Sequence, residues 1–162
     1  MKTHFLRFAT ALFASLLFAA PTMAYDHEGA ASYAKMFAPV QGPTAGKHLH
    51  MITPQQFVDQ VRAGTHYVTV DIRTPGETQF FTGNLPGHLV IPLNELFQEE
   101  QLAKLPEDQP IVVLCKSGTR ATAATTALRD VGLEQTYILK GGLMGLVTYL
   151  GAKEANQPLG PE

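Results

Sequence analysis

One cysteine, Cys115, is all the thiol chemistry available to a chain of 162 residues that also contains no tryptophan and few charged residues. A lone cysteine excludes an internal disulfide and a thiolate-rich metal cluster. Basic residues are not in excess either: 12 Lys and Arg face 14 Asp and Glu. That balance argues against nucleic acid or an anionic membrane surface as partner. Internal repeats are lacking, which excludes stacked-repeat architectures. The uncharged apolar run at residues 8–20 falls short of the ~20 residues that span a bilayer.

That run is better explained as part of an export signal. Lys2, His4 and Arg7 form a short basic region before it, and Pro21-Thr22-Met23-Ala24 supplies small residues suited to cleavage after it. Residues 1–24 are therefore expected to be a secretory signal, and the absence of a cysteine after them argues against a lipid anchor. Its removal leaves ten basic against 14 acidic residues, a net charge of −4, on a chain sized for one domain. An unpaired thiol exported to an oxidising compartment calls for a reason, and reactivity is the reason favoured here. Residues 25–47 are rich in Ala, Gly and Pro and are expected to form an extension or linker, with a short helix near residues 30–38. Within it, Gly42, Gly46 and Lys47 lack the spacing and the preceding strand of a phosphate-binding loop.

Regular punctuation begins at residue 48. Thr53-Pro54-Gln55-Gln56 fits a capping box with proline at the first helical position, and the helix it opens should stop at Gly64. Residues 67–70 read as a strand ending at Asp71-Ile72-Arg73, and 89–91 as another. Residues 93–105 suggest one or two short helices with Glu99 and Glu100 on a solvated face. A third apolar run, 111–114, leads into Cys115, and the Ala/Thr-rich residues 121–128 continue as a helix ending near Gly132. Residues 136–139, Gly141-Gly142 and a last helix over 143–150 complete the pattern. Alternating strands and helices predict an α/β fold with a mostly parallel sheet flanked by helices, its site at the carboxyl ends of the strands. The domain is expected to cover 48–153, with 154–162 a tail.

Cys115-Lys116-Ser117-Gly118-Thr119-Arg120 thus occupies a strand-to-helix turn. Successive N–H groups of such a turn and the positive end of the helix favour an anion where the sulfur sits. Arg120 is open to two readings: binding an anionic substrate, or reaching back to a carboxylate such as Asp71 to brace the loop. Asp71, at a strand end, is placed to accept loop donors, whereas Arg73 is open to pairing with Glu77 or to facing incoming anions. Lys116 is the candidate for drawing an anion in. His48 and His50 alternate along the expected first strand, but two histidines without further ligands do not make a metal site. His88 is expected near the site.

The order Asp71-Ile72-Arg73, Gly83-Asn84-Leu85-Pro86-Gly87, Cys115 to Arg120, then Gly141-Gly142 resembles a single-domain rhodanese, and the small exported form is similar to the periplasmic sulfurtransferases of that family. The resemblance implies an enzyme that carries sulfane sulfur as a persulfide on Cys115, using neither metal nor cofactor. Its partners would be a small sulfur donor such as thiosulfate and a thiophilic acceptor, an exported protein included, and the chain would act as a monomer. Lys116, Ser117, Gly118, Thr119 and Arg120 would cradle the anion, with Asp71 and Arg73 in support. The four residues between Cys115 and Arg120 separate this loop from the five-residue loops of cysteine phosphatases and arsenate reductases. A persulfide carrier or redox-sensing module is the alternative. Asn84, His88, Lys116 and Leu146 depart from the family pattern; Leu146 replaces a tryptophan and is expected to alter packing at the rim of the site.

Overall fold

The computed structural model describes residues 24–158, so the expected signal lies, but for Ala24, outside the described residues. The chain divides into two compact units, Met1–Lys35 and Met36–Glu162. Helix α1 (His27–Phe37) occupies most of what is described of the first. Asp26 starts it, its carboxylate accepting the Glu28 N–H at 3.0 Å and its carbonyl the Ala30 N–H at 3.0 Å. No residue of α1 is buried. α1 is the short helix expected near residues 30–38, and the Gly- and Pro-containing stretch after it forms a 3₁₀ turn at Gly42–Thr44 and α2 (Ala45–His48).

The second unit holds five parallel strands in the order β1-β5-β4-β2-β3, namely β1 (Met51–Ile52), β2 (Val68–Asp71), β3 (Leu89–Val90), β4 (Ile111–Leu114) and β5 (Thr136–Leu139). The central strand explains the pattern of its neighbours. All four residues of β4 are buried because both faces of a parallel sheet are covered. Ile111 and Val113 enter one apolar cluster with Ala121, Ala124 and Leu128 of α6 (Thr119–Asp130), together with Leu96 and Leu105. Val112 and Leu114 point the other way, into a cluster with Phe57 and Val58 of α3 (Pro54–Arg62) and Leu143 and Leu146 of α7 (Gly142–Tyr149).

Local chemistry sets the boundaries. The expected capping box forms: the Thr53 hydroxyl accepts the Gln56 N–H at 3.1 Å and the Gln56 side chain accepts the Thr53 N–H at 2.8 Å. A second box, unforeseen, opens α4 (Pro75–Thr78), where Glu77 accepts from the Thr74 N–H at 2.9 Å. Of the helices expected over 93–105, α5 (Glu99–Leu102) forms amid turns, with Glu99 and Glu100 exposed. His48 and His50 do not alternate along a strand. His48 ends α2, while His50 precedes β1 at φ 57°, held by a contact of its Nδ1 with the Thr136 carbonyl at 3.1 Å and by stacking on Tyr137. Glu154 lies in α8 (Ala152–Ala155) and pairs with Arg62 of α3 at 3.0 Å, which ties part of the expected tail back to the domain.

Candidate functional site

At the carboxyl end of β4 the chain must turn from strand to helix in four residues. Gly118 makes that possible: it caps α6 at φ 96°, in the left-handed region that residues with a Cβ avoid. The turn aims the Gly118 N–H at the Cys115 sulfur, 3.2 Å away. The sulfur therefore sits at the positive end of a twelve-residue helix. Cys115 is only 1% exposed, whereas Lys116, Ser117 and Thr119 of the same loop are exposed.

A second glycine turn locks this loop in place. Gly141 and Gly142 both have positive φ, 78° and 57°. The turn they make brings the start of α7 against the cysteine loop, so that the Leu143 N–H donates to the Cys115 carbonyl at 2.8 Å and the Met144 N–H to the Lys116 carbonyl at 3.1 Å. There is no room for a side chain at this contact: a Cβ on Gly142 would lie 2.3 Å from the Cys115 carbonyl oxygen and 2.8 Å from the Gly118 nitrogen.

Two ion pairs stand beside the loop. Arg120 donates from both terminal nitrogens to Glu77, each at 2.8 Å. The hydrogen bonds from Arg120, with help from Thr74, hold the Glu77 carboxyl well below the usual carboxylate range. The same bonds raise the Arg120 guanidinium, to which the neighbouring Cys115 sulfur contributes less. The carboxylate that Arg120 finds is thus Glu77 and not Asp71. Asp71 is taken by Arg73, which donates to it from Nε at 2.9 Å and Nη2 at 2.7 Å. Arg73 also donates from Nη1 to the Glu77 carbonyl at 3.1 Å and from Nη2 to the Phe81 carbonyl at 2.9 Å. With five N–H groups in the fork, this leaves a single Nη1 hydrogen uncommitted. The reading in which Arg73 pairs with the Glu77 carboxylate is therefore revised. Its charge answers Asp71, and its bond toward Glu77 is to the backbone, pinning residues 74–81 to the end of β2.

Arg73, Glu77, Lys116, Leu143 and Met144 line a cleft of about 210 Å³. Glu77 and the α7 residues were not singled out for this place by sequence reasoning, although the Gly141-Gly142 pair was the signal that α7 begins beside the cysteine. His88 does not line the cleft; its Nε2 is buried without a hydrogen-bond partner among the described residues. Leu146 does not reach the rim as expected. It is buried on the α3 side of the sheet and lines an apolar cavity of about 100 Å³ with Phe57, Val58, Val61, Leu85 and Leu150. No cluster of three or more potential metal ligands occurs among the described residues.

The Rhodanese-like domain family matches residues 53–148, from the Thr53 cap to the penultimate residue of α7. The probable adenylyltransferase/sulfurtransferase MoeZ of Mycobacterium tuberculosis is 32% identical over 93 residues, 57% of this chain and 23% of that protein. The mitochondrial thiosulfate sulfurtransferase RDL2 of Saccharomyces cerevisiae is 32% identical over 83 residues, 46% of this chain and 56% of that protein. The chain thus spans about a quarter and about half of these relatives. Among solved structures, a rhodanese-related protein of Thermoplasma volcanium superimposes with a TM-score of 0.52 at 25% identity, covering 62% of this chain and 92% of that one.

Proposed function

Since the chain belongs to the rhodanese-like family, a family with sulfurtransferase members, we propose that it transfers sulfane sulfur through a persulfide on Cys115, with thiosulfate as a donor. In the first half-reaction the Cys115 thiolate attacks the outer sulfur of thiosulfate. The sulfur–sulfur bond of the donor breaks, sulfite leaves with the electron pair, and Cys115-S-S⁻ remains. In the second, an acceptor thiolate attacks the terminal sulfur of the protonated persulfide and Cys115 departs as thiolate. No net oxidation or reduction is needed.

The observation that carries this reading is the position of the Cys115 sulfur at the start of α6, 3.2 Å from the Gly118 N–H and beside the Arg120 guanidinium. Fixed donors there stabilise negative charge on sulfur in both half-reactions without rearrangement. Lys116, exposed and lining the cleft, attracts the donor dianion as a point charge. Arg120 contributes from its place against Glu77, and Asp71 with Arg73 braces the wall. The N-terminal pattern of residues 1–24 supports action outside the cytoplasm, in a periplasm.

Intact-mass measurement of the reduced protein, before and after thiosulfate and again after cyanide, tests the proposal. The expected result is one added sulfur atom that cyanide removes and that Cys115→Ser never acquires. A protein that alkylates freely at Cys115 yet gains no sulfur would exclude thiosulfate as donor and favour the carrier or sensor reading.

A further inference from the structure

Two segments that contribute to the cleft, residues 74–81 and α7, carry apolar side chains that the fold leaves in solvent. Met144 lines the cleft and is 57% exposed, and Val147, one helical turn further along α7, is 50% exposed. On the other segment Phe81, whose carbonyl accepts from the cleft-lining Arg73, is 50% exposed, and its neighbour Phe80 is 96% exposed. Single exposed apolar residues are ordinary, but several on the two segments that flank one site point to a contact surface. A phenylalanine as exposed as Phe80 buries almost none of its apolar area within the fold. Its apolar area gains value only when a partner covers it.

The dimensions of the cleft indicate what that partner brings. Cys115 is 1% exposed and next in the chain to the cleft-lining Lys116, so a thiol lying flat on the surface of a folded protein cannot reach the sulfur. The cleft volume of about 210 Å³ is that of one or two side chains. Thiosulfate needs neither this space nor an apolar rim. Lys116 is exposed at the opening with no acidic partner among the described residues, so the charge at the rim is positive.

We propose that the collar formed by Phe80, Phe81, Met144 and Val147 docks a protein acceptor whose cysteine lies on an extended loop or tail, flanked by apolar residues and an acidic one. This rests on the persulfide reading above and names the acceptor class for the same site. The apolar flanks cover the collar, the acidic residue meets Lys116, and the cysteine alone descends to the sulfur. The acceptor thiolate attacks the terminal sulfur of the Cys115 persulfide, the S–S bond breaks, and the acceptor leaves as its own persulfide while Cys115 returns to thiolate. Small thiols and cyanide bypass the collar.

The test uses the mature protein loaded with thiosulfate, with loading verified by intact mass so that failure to form the persulfide is seen separately. Discharge is then timed with two synthetic peptides, Asp-Leu-Cys-Leu-Phe and Gly-Gly-Cys-Gly-Gly, and with cyanide. The expected result is discharge at least about tenfold faster with the first peptide, the effect of one well-packed apolar anchor. Phe80→Ser and Val147→Ser together should erase that preference while cyanide discharge stays unchanged. Equal rates with the two peptides, or a preference that survives both substitutions, would overturn the proposal. So would an absence of peptide preference combined with Phe80-dependent binding to phosphatidylglycerol vesicles, which would make the collar a membrane contact.

Discussion

Gly142→Ala isolates the contact between the Gly141-Gly142 turn and the cysteine loop. The added Cβ would stand 2.3 Å from the Cys115 carbonyl oxygen, 2.8 Å from the Gly118 nitrogen and 2.9 Å from the Lys116 carbonyl carbon, all backbone atoms that no rotamer change can move. The left-handed φ of 57° costs an alanine roughly 1–2 kcal/mol. Overpacking against fixed backbone adds about 1–3 kcal/mol. Relief requires α7 to back away, which weakens the Leu143 and Met144 hydrogen bonds to the loop, each worth about 1 kcal/mol. The sum is about 2–7 kcal/mol, with displacement of the loop that holds Cys115. Gly132→Ala is the control, since its φ is 105° but nothing lies within 4 Å of the added carbon; it should lose only about 1–2 kcal/mol. Urea unfolding gives the stabilities, and the iodoacetamide rate at Cys115 in the folded state reports the loop. A Gly142→Ala protein that matches Gly132→Ala within about 1 kcal/mol and alkylates at the wild-type rate would refute the reasoning.

Leu146→Ala should destabilise by about 2–5 kcal/mol, since it enlarges a cavity already present beside a fully buried side chain. Persulfide loading of the folded fraction should stay at the wild-type level, as Leu146 does not line the cleft; a specific loss of loading at full folding would contradict that placement. Arg73→Met leaves the Asp71 carboxylate buried without its partner and should cost about 3–5 kcal/mol, read from the urea midpoint; a loss below about 1 kcal/mol would mean the pair is not the brace described. Burial, with a lesser effect of Arg129, lowers the pKa of His50 below its ordinary value of 6.5. The neutral form is thus the one the fold prefers, so its contribution is fully present above about pH 6.5 and declines as pH falls from there toward the lower folded value. The urea midpoint should fall less between pH 7.5 and 5.5 in His50→Phe than in wild type, and identical slopes would reject the assignment. Lys116→Ala should raise the KM for thiosulfate, more at low salt than at high salt, and a KM independent of both the substitution and salt would remove Lys116 from substrate attraction.

The parts of the fold that were legible in the sequence are those governed by local chemistry. Thr53 with Gln56 announced α3, the all-apolar run 111–114 announced the strand buried on both faces, and the glycines at 64, 118, 132 and 142 marked turns that all require positive φ. Cys115 was legible for the same reason, as the residue caught between a buried strand and a small-residue helix. What escaped was decided by long-range choice among similar partners. Nothing local tells Arg120 to select Glu77, 43 residues away, over Asp71. That choice follows from Arg73 already occupying Asp71 two residues along the chain, a fork that only the folded turn closes. Leu146 was misplaced because a helix of mean apolar character gives little indication of which face meets the sheet and which meets the cleft. The 42–48 segment escaped because Gly and Pro also serve a 3₁₀ turn feeding a short helix.

The pairing of charges around Cys115 determines what kind of recognition the site can perform. Arg73 is answered by Asp71 and Arg120 by Glu77, so Lys116 is the cleft-lining cation without an acidic partner among the described residues. Because the Arg120 hydrogen bonds hold Glu77 below the usual carboxylate range, that pair keeps its charges through mild acid; its contribution is lost only as pH falls through the lowered value. A nearly balanced cleft attracts a dianion only moderately from a distance. The strong stabilisation acts at contact, through the Gly118 N–H and the start of α6, on whichever atom occupies the position beside the sulfur. Such a site suits a reaction with two substrates of different charge. With thiosulfate as the proposed donor, a field strong enough to hold it would also hold sulfite, which would have to leave before an acceptor enters. In the reaction proposed above, fixed dipoles aimed at one sulfur would stabilise the persulfide that both half-reactions share and would leave the exchange of donor for acceptor unhindered.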